Sequence, residues 1–139
     1  MKKFLFFLVV LSASVLAQDL IGEKLNTTIE KLFSVSKLRD YNAVCDLIVF
    51  TGSDEARNLQ SKLNSRNDEE FQQAERIAKK IKAYVDISDS YEITSTEKVT
   101  EEGKEFLHAK IEFKSGNQIL EIVFKFIGID ENLLLVEID

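Results

Sequence analysis

The chain has no proline and no tryptophan, one cysteine, one histidine and one methionine, and only five glycines in 139 residues. Without proline, and with so little glycine, collagen-like, proline-rich and low-complexity chains are excluded. One cysteine excludes an intramolecular disulfide framework and a multi-cysteine zinc site. One histidine means that imidazole general-base chemistry, or a histidine-bearing metal site, would have to rest on His108 alone. A glycine-rich phosphate loop, a serine nucleophile elbow, a paired-histidine zinc helix and an interleaved lysine-aromatic patch are also missing. The sequence therefore calls for no metal and no cofactor, and it supplies no catalytic constellation.

What is there is 45% hydrophobic and 30% charged, the composition of one globular domain. Met1-Lys2-Lys3 is a basic start to an apolar run from Phe4 to Leu11, and small residues follow, with Val15 and Ala17 at spacing that suits a signal peptidase. This reads as an export signal, residues 1–17, with cleavage between Ala17 and Gln18. A membrane anchor needs about 20 apolar residues, whereas Phe4 to Ala17 is 14 residues and includes Ser12 and Ser14. No cysteine opens the remaining chain, so lipid attachment there is excluded. The expected mature domain, residues 18–139, carries 16 basic and 24 acidic side chains, a formal charge of −8. An acidic chain lacks the basic face that nucleic-acid binding requires. The expectation is a bacterial protein that is periplasmic or secreted, with no nucleic-acid partner and no membrane association after cleavage.

Apolar residues at Leu20, Ile21, Leu25, Ile29, Leu32, Phe33 and Leu38 recur at helical spacing. Asn42 to Phe50 is nearly all apolar and predicts a second, buried helix. Ser53 is placed to cap a third, short helix carrying Ala56, Leu59 and Leu63. Asn67 with Glu70 three residues later resembles a capping box, opening a helix whose apolar face runs Phe71, Ala74, Ile77, Ala78, Ile81, Tyr84 and Val85. After Ser88 the period changes to two. Strands are expected over 91–100, 105–114, 118–127 and 133–138, joined by turns at Glu101-Glu102-Gly103, Ser115-Gly116-Asn117 and Asp130-Glu131-Asn132. Helices first and an antiparallel meander after them give an α+β domain, with the helices covering one face of a curved four-stranded sheet.

The third and fourth strands carry apolar residues on both faces, with Ile119, Val123 and Ile127 opposite Leu120, Ile122, Phe124 and Phe126. One face packs on the helices, and the other needs a cover, which makes Ile119, Val123 and Ile127 candidate interface residues for a homodimer or another protein partner. Tyr41, Cys45 and Tyr84 are candidates to line a pocket between helices and sheet that would suit a small apolar ligand. His108 alternates with Lys110 and Glu112 and reads as a solvated strand histidine. Cys45 lies among Val44 and Leu47 and reads as a buried thiol, a disulfide-linked dimer being the minor alternative. The carboxylate groups at 54–55, 68–70, 101–102 and 130–131 sit at caps and turns, where negative charge is solvated or favours a helix start. Asp86, Ser88, Ser90 and Glu97 imitate a calcium loop, but Tyr91 stands where that loop needs glycine. Asn26-Thr27-Thr28 is a formal sequon inside a predicted helix and carries no weight.

An amphipathic first helix, the Arg39-Asp40-Tyr41 turn and a helix followed by four strands together resemble the nuclear transport factor 2-like superfamily, also called cystatin-like or SnoaL-like. Gly52-Ser53-Asp54-Glu55-Ala56-Arg57 and the ending Val136-Glu137-Ile138-Asp139 look like those of small exported bacterial members. The resemblance implies a cone in which the sheet curls round the long helix, with an open end able to hold a small apolar ligand and sheet faces that pair into dimers. Enzymatic members, such as polyketide cyclases and ketosteroid isomerases, carry a pocket aspartate. No core-facing strand position here supplies one, so no catalytic residue is carried over. The sequence favours a non-enzymatic binding or interaction module. The alternative is a small-molecule isomerase or cyclase acting in the cone. A protease inhibitor of cystatin type is a third class, but its loop motif is not visible and the Ser115-Gly116-Asn117 tip is polar.

Overall fold

The structure is a computed structural model that describes the backbone of residues 2–139 and the side chains of residues 20–139. The expected leader, residues 1–17, lies outside the described side chains. The elements are α1 (Lys2–Lys37), α2 (Tyr41–Cys45), α3 (Asp68–Ile87), β1 (Ser90–Glu101), β2 (Lys104–Ser115), β3 (Gln118–Ile129) and β4 (Asn132–Ile138). The strands form one antiparallel sheet in the order β1-β2-β3-β4. Three helices on a four-stranded antiparallel meander make an α+β arrangement.

Each hairpin closes through a two-residue turn. Glu102 and Gly103 (φ 50° and 76°) join β1 to β2, and Asp130 and Glu131 (φ 47° and 71°) join β3 to β4. Positive φ at both central residues belongs to the type I′ turn, whose twist matches that of the strands it joins. The register brings Ala109, Ile111 and Phe113 opposite Phe124, Ile122 and Leu120 on the inner face. There, apart from Leu120, they bury against Leu25, Ile29, Leu32 and Phe33 of α1 and Ala74, Ala78 and Ile81 of α3. The period-two and helical-period readings therefore meet in one core.

The segment between α1 and α3 departs from expectation. The helix anticipated over Asn42–Phe50 stops at Cys45. Leu47 to Val49 instead run beside the edge of the sheet: Val49 N donates to Leu135 O at 2.9 Å and Leu135 N donates to Leu47 O at 2.8 Å. Ile48 and Val49 are β-branched and stiff, and an open strand edge offers them better hydrogen bonding than another helical turn. This extra ladder also covers the free edge of β4.

The short helix expected after Ser53 is a series of turns. Asp54, not Ser53, holds them, with Oδ1 accepting from Ala56 N and its carbonyl accepting from Arg57 N and Asn58 N. Leu59 at φ 57° prevents a helix from continuing. A Cβ at Gly52 would come within 2.8 Å of the Phe50 ring, so a larger residue there would have to displace that ring.

Asn67 does cap α3, its side chain accepting from Glu70 N at 3.1 Å. The reciprocal half of the capping box is missing. The Glu70 carboxylate turns away to Arg57, which donates from both terminal nitrogens at 2.7 and 2.9 Å, and it also accepts from Asn64 N. A bidentate guanidinium outcompetes a backbone amide for the carboxylate, and the loop is thereby tied to the start of α3.

Candidate functional site

The volume between the helices and the inner sheet face, where a cone would hold a ligand, is occupied by side chains. The Phe33 ring meets Tyr91 edge-on at 4.8 Å between centroids and lies 5.8 Å from Phe113 and 5.7 Å from Phe124. The three residues expected to line a pocket are spread across this packing. Tyr84 packs at 5.5 Å on Phe113, and Tyr41 packs edge-on Phe71 at 6.0 Å. Cys45 is fully buried in the core, and burial, followed by the charges of Asp46 and Glu70, pushes its thiol up from the ordinary value. A raised thiol among apolar neighbours is inert. A disulfide between copies through Cys45 would require opening the core.

The outer sheet face is covered at one end by this chain itself. Val49 packs with Phe106, Ile127 and Leu134, and Leu59 lies against them. Ile127 is thus buried internally, Val123 is half-buried, and Ile119 stands exposed at the other end of β3. Between them the face is a mosaic of ion pairs, Lys110 with Glu121 at 3.4 Å and Lys114 with Glu92 at 3.0 Å. Lys125 lies over the Phe106 ring and pairs with Glu101 at 2.8 Å and Glu137 at 3.5 Å. That contact holds the Glu101 carboxyl below its usual range and raises the Lys125 ammonium. His108 belongs to this outer face, flanked in register by Glu97 and Lys125, and its Nε2 has no hydrogen-bond partner among the described residues.

Several depressions mark the surface of the described residues. A notch of about 500 Å³ lies where α3 ends beside the β2–β3 hairpin, lined by Ile87, Ser88, Phe113, Ser115, Gln118, Ile119 and Leu120. Ile87, Ile119 and Leu120 are 64%, 61% and 40% exposed. Large apolar side chains grouped this way around a concavity are the usual signature of a docking surface. A groove of about 850 Å³ runs between α1, the loop after α2 and the β3–β4 turn. Its polar groups largely satisfy one another: Lys62 pairs with Asp46 at 2.6 Å, and Lys24 donates to the Glu131 carbonyl. The third depression, about 530 Å³, lies between the α1–α2 turn and α3 and includes Arg39 and Tyr41. No group of three or more metal-ligating side chains is found among the described residues.

The periodicity reading named Ile119 as a candidate but not Ile87 or Leu120, because Ile87 at a helix end and Leu120 on the nominal core face are exposed only through the tertiary arrangement. Arg57 and Glu70, the most tightly tied charged pair, stand 13 residues apart with no motif linking them.

No protein-family model matches the chain, and no curated protein matches it in sequence. Among solved structures the chain is similar to a designed NTF2-like protein titled as a variant of Rd1NTF2_05. The TM-score is 0.47 and the identity 11%, over 85% of this chain and 96% of that one.

Proposed function

We propose that this protein is an exported, non-enzymatic interaction module that docks through the apolar corner formed by Ile87, Ile119 and Leu120, with a second copy of the chain as its first partner. One observation carries the reading: exposed apolar side chains surround a notch on the surface while the interior is packed with its own side chains. A knob, Ile119, stands beside a hollow on the same surface, which is what a two-fold interface uses, each copy filling the other. The export part rests on residues 1–17. The isomerase or cyclase reading would need an ionisable group facing an open interior; the buried charged side chain among the described residues, Glu70, is held by Arg57, and Phe33, Phe113 and Phe124 pack on one another.

The test is light scattering of the purified protein over a wide concentration range, together with its intact mass. A concentration-dependent dimer that Ile119→Lys abolishes, in a chain beginning at Gln18, is expected. A monomer at every concentration, unchanged by Ile119→Lys, would sink the docking reading, and a retained leader on exported protein would sink the cleavage site.

A further inference from the structure

Helix α1 ends in a Schellman motif. Asp40 N donates to Val35 O at 3.0 Å and Arg39 N donates to Ser36 O at 3.1 Å, and Arg39 takes φ 59°. Glycine usually fills this position because a side chain in left-handed conformation costs about 1 kcal/mol. An arginine placed there keeps a cost that glycine would remove, as do Leu59, Glu102, Asp130 and Glu131 at their own turns, and what sets Arg39 apart is what surrounds its side chain.

That side chain lines the depression of about 530 Å³, facing Tyr41 across the turn and Glu75, Lys79, Lys82 and Asp86 on α3. Both carboxylates are already engaged, Glu75 by Lys79 at 2.8 Å and Asp86 by Lys82. Arg39 has no ion-pair partner among the described residues. Lys37 and Arg39 are near enough that both help hold the Asp86 carboxyl below its usual range, after its bond to Lys82. Arg39, Lys79 and Lys82 against Glu75 and Asp86 leave the lining a charge of +1 on a chain whose formal charge is −6. The larger groove, by contrast, sets three lysines against four carboxylates and offers an anion no net attraction.

We propose that this depression is a binding site for a small oxyanion, phosphate or carboxylate, with the Arg39 guanidinium as its principal ligand and the Tyr41 hydroxyl and Lys79 beside it. A planar guanidinium donates two parallel hydrogen bonds to either anion, a geometry that an ammonium cannot reproduce. The competing account is that Arg39 merely offsets the negative end of the α1 dipole. Lys37 in the last turn already serves that purpose, and dipole compensation alone predicts no ligand.

The two accounts separate by calorimetric titration of the purified protein, at low ionic strength, with inorganic phosphate and with citrate. Saturable binding of at least one anion in the millimolar range is expected. Arg39→Gly is expected to weaken it about tenfold, the loss of one charge-assisted pair, while its unfolding midpoint stays level or rises. Arg39→Lys is expected to fall between the two. Preference for phosphate or for citrate assigns the source of the oxyanion. No saturable heat with either anion, or unchanged affinity in Arg39→Gly, overturns the proposal.

Discussion

Arg57 is the side chain whose removal tests the packing account most sharply. Its guanidinium grips both oxygens of Glu70, lies 4.2 Å from the centroid of the Phe50 ring, and donates to the Lys62 carbonyl at 3.3 Å. The Glu70 side chain is only 8% exposed and that of Arg57 is 32% exposed. Arg57→Ala leaves a nearly buried carboxylate with the Asn64 amide and no countercharge. Breaking a fully buried pair costs about 3–5 kcal/mol, and water reaching the Arg57 side brings the expected loss here to about 2 kcal/mol. For a domain of this size that lowers the unfolding midpoint by roughly 7 °C.

The same geometry fixes a pH dependence. The Arg57 bond, then the Asn64 amide, hold the Glu70 carboxyl below its ordinary range against the opposing effect of burial. A lowered folded-state value means the stabilisation is complete above the free-glutamate range near pH ~4.3 and is lost as pH falls through the folded-state value. Thermal unfolding followed by circular dichroism at pH 7 and at pH 3, on Arg57→Ala, Glu70→Gln and the double variant, reads all of this. The penalty of Arg57→Ala is expected to shrink at pH 3, and the cycle is expected to show a coupling of about 2 kcal/mol at pH 7. A penalty under about 0.5 kcal/mol at pH 7, or single-variant effects that simply add, refutes the reasoning.

Two further outcomes follow from the same structure. Cys45, fully buried with its thiol pushed up, should resist an aromatic disulfide reagent at pH 8 in native protein and react at once in denaturant; fast native labelling would contradict its placement in the core. Glu131→Gly, which relieves φ 71° in the type I′ turn between β3 and β4, should raise stability by about 0.5–1 kcal/mol in urea unfolding, whereas a loss would mean that the Glu131 side chain is itself needed there.

Much of the architecture is local enough to be read from the chain. Strand alternation at 107–113 and 120–126 specified which side chains face inward, because the side-chain period of a strand is two whatever the strand packs on. The Asn67 cap and the apolar stripe of α3 were legible for the same reason: both are set within a few residues. The stretch 42–63 was not. An apolar run of nine residues fits a buried helix or an extended segment equally well, and the choice went to the edge of β4, which lies more than 80 residues away in the chain. The fate of Glu70 was likewise decided by Arg57 rather than by its own cap.

The candidate surfaces divide along the same line. Sequence alone determined the composition and the two-sided apolar character of β3. Only the tertiary structure decided that Val49 and Leu59 lie against Ile127 while Ile119 remains in solvent, that Phe33 packs on Phe113 and Phe124, and that Arg39 lies beside α3 with no ion-pair partner among the described residues. Periodicity fixes which side of an element a residue occupies. What covers that side depends on segments distant in the chain, whose contacts are won by the summed burial and hydrogen bonding of the whole fold.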